Sequence, residues 1–125
     1  MLVTAQDDVK AYTAHEIAAI VAQAKSAAQK AAEEYLQEKL GGQDNMPCGF
    51  AWCEIFGVRG NTKIGRAFKL LGITKQGGGL YWHNPAGIPI QNVDAKMAGA
   101  RAAKHVLKDY GFTAYAVDRL DWGEK

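Results

Sequence analysis

A chain of 125 residues has room for one domain with a real core. Its 48% hydrophobic and 22% charged residues exclude a disordered polyelectrolyte, and no apolar run approaches the roughly 18 residues of a membrane span. The net charge of +2 is unevenly spread, with four Lys/Arg against seven Asp/Glu in residues 1–45 and eleven against six in residues 46–125. That places an anionic partner on the second part without demanding nucleic acid.

The start "MLVTAQDDVK" has neither the basic residues nor the apolar core of a signal peptide, so a cytoplasmic location is expected. Residues 8–40 then read as one long helix, rich in alanine, free of proline, and stopped by the paired glycines of "LGGQDNMP". Ile17, Val21, Ala24, Ala28, Ala31 and Tyr35 follow a 4-3-4-3-4 spacing, an a/d seam with small residues at its centre. A helix of about 45 Å exceeds what a small core covers. Its seam is therefore expected to face a second copy; packing wholly on its own sheet is the alternative.

"CGFAWCEIFGV" alternates as a strand does, with Phe50, Trp52 and Glu54 on one face and Ala51, Cys53 and Ile55 on the other. Cys48 and Cys53 sit five apart, on opposite faces of such a strand, which argues for reduced thiols and against a disulfide or a shared metal. "RGNTKIGRAFKLLG" predicts a turn, an N-cap at Asn61 or Thr62, and a short helix with an Ile64, Phe68, Leu71 stripe ending at Gly72. "LYWHN" and "GIPIQNV" predict two short strands around an Asn84–Gly87 turn. Asp94 is the expected cap of a helix to Tyr110, with Ala95, Gly99, Ala102, Val106 and Tyr110 inward. "FTAYAVDRL" is a final strand, with Tyr115 and Val117 sharing a face. The order α-β-α-β-β-α-β implies an α+β domain over 1–125: a long helix, then a small mixed or antiparallel sheet with two further helices covering one face. Residues 46–121 would form its ligand-binding core.

Catalytic motifs are missing. Ser26 is the one serine, there is no G-x-S-x-G or H-E-x-x-H, and "GVRGNTKIG" has the wrong spacing and order for a phosphate-binding P-loop. The chain reads as a binder rather than an enzyme, with no cofactor and no metal. His83 and His105 would have to serve as acid or base were it to act on a ligand.

The binding candidates gather around "KQGGGLYWHNPAG". Gly77, Gly78 and Gly79 remove side chains, so ligand atoms can approach backbone N–H groups. Tyr81 and Trp82 point to opposite faces of an extended segment, one ring to the core and one free to stack on a base. Asn84, Gln91 and Asn92 carry donor and acceptor together, as base edges require. A glycine hairpin with both aromatics packed inward is the competing account. Arg101, Lys104 and Lys108 form one helical stripe, and Arg59, Lys63 and Arg66 gather at the short helix as a second anion site; either set can equally be a solvated face. Arg119 and Asp121 can hold a phosphate and a ribose hydroxyl, or simply an internal ion pair.

The segments "CGFAWCEIFGVRGNTKIGRAFK", "GGGLYWHNPAG", "QNVDAKMAGARAAKHVL" and "YGFTAYAVDRLD" resemble a family of small bacteriophage and prophage proteins, the first described anti-Thoeris sponges. The resemblance spans residues 48–121, and Cys53 departs from it where an aliphatic residue is expected. It implies a non-enzymatic protein that sequesters cyclic ADP-ribose isomers, so that the host effector is never triggered. It further implies dimers, or hexamers that also trap cyclic oligonucleotides in separate sites. Residue by residue, it implies a nucleotide pocket of Trp82, Asn92 and the Arg119/Asp121 pair near a dimer interface, with the two basic clusters suited to a second, more phosphorylated ligand. A single-stranded nucleic-acid-binding accessory protein is the alternative from the same aromatics and basic residues.

Overall fold

The computed structural model describes residue 9 and residues 11–44, 47–76 and 79–120. Seven elements follow in the expected order: α1 (Ala14–Leu40), β1 (Gly49–Phe56), α2 (Lys63–Leu70), β2 (Thr74–Gln76), β3 (Gly79–His83), α3 (Val93–Asp109) and β4 (Thr113–Leu120). The class is α+β. The sheet is wholly antiparallel, with strands in the order β2-β3-β1-β4. With α2 linking β1 to β2 and α3 linking β3 to β4, this is a split β-α-β arrangement to which α1 has been added.

α1 begins at Ala14, later than residue 8. Thr13 closes a capping box with Glu16: Glu16 N–H donates to Thr13 Oγ1 at 3.1 Å and Thr13 N–H to Glu16 Oε1 at 2.8 Å. Just before it, Tyr12 is held elsewhere, its ring stacked on Phe112 and its hydroxyl donating to Tyr110 O at 2.8 Å. Gly41, at φ 63°, ends the helix in the left-handed conformation, and Gly42 N–H donates to Leu36 O.

The helices stack in two layers on one face of the sheet. α3 packs on β1 and β4, and α1 packs on α3. The contact is close because Gly99 is bare: a Cβ there would stand 3.2 Å from Ala28 O and 3.4 Å from Ala86 Cβ. The expectation that the α1 seam faces a second copy is corrected here. Ile17, Val21, Ala24 and Ala28 are buried within this chain, and Ile20 and Ala32 join them; Ala31 and Tyr35 are half-buried. A helix sandwiched between sheet and α1 buries two faces, so α3 hides Ala100, Ala103 and Leu107 as well as Ala95 and Gly99, whereas Ala102, Val106 and Tyr110 are only half-buried.

Two further expectations change. The partner of β3 is β2, which precedes the glycines, with Thr74 opposite Tyr81 and Gln76 opposite Gly79. "GIPIQNV" forms no strand among the described residues, only an isolated bridge from Asn92 to Cys48. Pro89 offers no N–H, and the N–H groups of Gln91 and Asn92 are taken by the Asp44 carboxylate at 2.6 and 2.7 Å. Asn92, not Asp94, caps α3: its Oδ1 accepts from Ala95 N–H at 2.9 Å. Asp94 follows in the first turn, where its charge favours the helix dipole.

Candidate functional site: the open face of the sheet

Strand alternation sorts the residues of β1 into two sets. Ala51, Cys53 and Ile55 are buried under the helices, and the Cys53 thiol donates to Ala100 O at 3.1 Å. Burial pushes that thiol up to about 12, against a smaller opposing pull from Lys104. Phe50, Trp52, Glu54 and Phe56 point the other way, and no described element covers them. Register carries the pattern across the sheet. Trp52 lies opposite His83 and Val117, Glu54 opposite Tyr81 and Tyr115, and Phe50 opposite Arg119.

The outcome is an aromatic floor on the uncovered face. Trp52 lies nearly parallel to Tyr81, with centroids 6.1 Å apart and planes at 14°, and His83 sits 5.9 Å from Trp52. Phe56 meets Tyr115 edge-on at 5.7 Å. At the far end of β1, Phe50 has the Arg119 guanidinium and the Lys96 ammonium each 5.4 Å from its ring centroid. Tyr115 is 55% exposed and Phe50 41%, unusually open for rings of this size. Glu54 is the acidic group of this floor, and its Oε2 accepts from Trp52 Nε1–H at 3.0 Å. Desolvation among the rings raises the Tyr81 phenol above its ordinary range, and the Glu54 charge adds to the shift.

Of the residues expected to bind a nucleotide, the fold brings Tyr81 and Arg119 to this face. Trp82 is not there. It points to the helix side and is 8% exposed, the core partner that alternation allots to one of the two rings. Asn92 is buried as the α3 cap. Asn84 is the pivot of a turn at φ 44°, its Nδ2–H donating to Ile88 O at 3.0 Å while its buried Oδ1 accepts from no donor among the described residues. Arg101 and Lys104 lie on α3, across the sheet from the rings. Asp121, Gly77 and Gly78 lie outside the described residues. Gly79 is in β3, where a Cβ would stand 2.9 Å from Ile55 O, so its bareness serves strand packing.

The second basic set is regrouped. Arg66 Nη1–H donates to Asn61 O at 2.5 Å, and Arg59 instead joins Lys69 and Lys75 around a cleft. Sequence reading passed over Phe56 and His83 as ligand contacts, and did not recognise Phe50, Trp52 and Tyr115 as such. The usable signal was the contrast of sizes: Ala51, Cys53, Ala114 and Ala116 alternate with rings, and small residues belong beneath a close helix. Among the described residues no three His, Cys, Asp or Glu side chains converge as metal ligands, and no helix is long and apolar enough to cross a membrane.

Comparison with family models, with curated proteins and with solved structures finds no match.

Proposed function

We propose that this protein binds nucleotides without transforming them, stacking their bases on the open face of the sheet. The biological reading is the one its motifs imply by resemblance: sequestration of cyclic nucleotide signals, cyclic ADP-ribose isomers or cyclic oligonucleotides, in a phage anti-defence role. The observation that carries the binding chemistry is the uncovered floor of Trp52, Tyr81, His83, Phe56 and Tyr115 with Arg119 at its edge. Each stacked base contributes about 1–3 kcal/mol, and each charge-assisted hydrogen bond about 1.5–3 kcal/mol. Nanomolar capture needs about −12 kcal/mol, so one or two stacked bases with about three such bonds on a rigid sheet come within range. The stacking role falls to Tyr81 and Trp52 rather than to Trp82. Arg119 remains the phosphate partner in this reading.

Shape favours a second reading. The seven-residue run from Phe50 to Phe56 spans about 20 Å of β1, with exposed rings near both ends, a length suited to consecutive bases of a single strand. One experiment separates the two. The protein is mixed with cyclic ADP-ribose isomers, cyclic di- and trinucleotides and a short oligonucleotide, freed of unbound ligand, heat-denatured, and the released molecule analysed by mass spectrometry. An intact cyclic ligand in fixed proportion to protein supports the sponge. Oligonucleotide binding that falls steeply with salt supports the strand reading. A converted product would make the protein an enzyme and overturn both.

A further inference from the structure

Where β1 runs into α2, the loop Gly57–Asn61 borders an open cleft of ≈ 670 Å³. Its other walls are Lys69 of α2, Lys75 of β2 and Gly79 of β3. Arg59, Lys69 and Lys75 thus reach one space from a loop, a helix and an edge strand, and no acidic residue among the described ones lines it. Lys69 and Lys75 converge over the bare backbone of Gly60: a Cβ there would stand 3.4 Å from Lys69 Nζ and 3.5 Å from Lys75 Cδ.

The loop's own polar groups point to the same ligand sign. Three of its carbonyls are engaged, Arg59 O by Thr62 N–H at 3.1 Å and Thr62 Oγ1–H at 2.6 Å, Asn61 O by Arg66, and Gly60 O by Lys69 Nζ at 3.4 Å. The N–H groups of Arg59, Gly60 and Asn61 donate to no acceptor among the described residues. At residues 59–61, with acceptors taken and, among the described residues, donors free, the loop makes a nest for an anion, and Arg59, Lys69 and Lys75, which form no ion pair among the described residues, repel one another until one arrives. The volume exceeds a single phosphate severalfold and accommodates two linked ones. We propose that this cleft is a binding site for a phosphate-ester or pyrophosphate group. It uses none of the rings of the open face, so it stands or falls independently of base stacking there.

The test is calorimetric titration of the whole protein with inorganic pyrophosphate and, separately, with adenosine diphosphate. Three forms are compared: wild type, Lys69→Gln/Lys75→Gln, and Lys30→Gln/Lys39→Gln, whose exposed α1 lysines give the same change in net charge. Wild type binds one pyrophosphate per chain, and the cleft double variant loses about 100-fold, roughly tenfold per charge-assisted contact. The α1 double variant stays within about threefold of wild type. Adenosine diphosphate binding tighter than pyrophosphate identifies the phosphate source as a nucleotide; equal binding identifies a bare phosphate site. No pyrophosphate binding by wild type, or equal losses in both double variants, would overturn the proposal.

Discussion

Two tryptophans, one strand apart, give opposite answers to the same substitution. Trp82 is 8% exposed, lies opposite Cys53 and packs under the helices. Trp82→Ala opens a cavity there and costs about 3–5 kcal/mol, a large part of the 5–15 kcal/mol that holds a domain of this size together. Trp52 faces away from the helices, so its removal leaves a notch open to water. That loss is confined to contact with Tyr81 and His83 and the hydrogen bond to Glu54, about 1 kcal/mol in all. Urea unfolding followed by circular dichroism reads both. At a slope of about 2 kcal/mol/M, Trp82→Ala moves the midpoint down by about 2 M and Trp52→Ala by about 0.5 M. Nucleotide capture, measured below either midpoint, is lost in Trp52→Ala. A Trp82→Ala variant as stable as wild type but unable to bind would refute the reasoning, because a one-residue slip of β3 exchanges the two faces.

Thiol chemistry tests the buried side. Cys48 reacts with an alkylating reagent in the folded protein at neutral pH, while Cys53, with its pKa pushed up to about 12, reacts only on unfolding; equal rates would contradict its burial. Because the folded-state pKa of Cys53 lies above its unfolded value near 9.0, its contribution to stability is complete below pH 9 and declines as pH rises toward 12. The α1–α3 contact is tested at Gly99. Gly99→Leu drives a side chain into the Ala28 backbone and lowers stability by about 2–3 kcal/mol in the same urea assay, whereas a neutral result would mean that the helices stand further apart.

Much of the fold was legible because it rests on local signals. The glycine stop of α1, the Thr62 cap and the two faces of β1 all follow from capping and alternation. The start of α1 was less so, since Tyr12 is held by Phe112 and Tyr110, a hundred residues away in sequence. β2 is three residues long, too short for any periodicity, which is why the strand partner of β3 was sought on the wrong side of it. For the site, alternation separated Tyr81 from Trp82, but with a ring on either face β3 itself carried no mark of which one the helices would cover; that mark lay in the small residues of β1 and β4. Asn92 has the chemistry of a base reader and of a helix cap alike, and Asp44, through its bonds to the same backbone, makes it the cap. The trio of Arg59, Lys69 and Lys75 was invisible because only the tertiary fold brings those positions together.

The central claim, that bases stack on the open face, is tested most directly by the assigned indole N–H resonances of Trp52 and Trp82 during titration with cyclic ADP-ribose. The account predicts that the Trp52 signal shifts with saturation, since its N–H is held to Glu54 on the binding face, while the Trp82 signal stays in place. A shift confined to Trp82, or binding that moves neither ring, would contradict it.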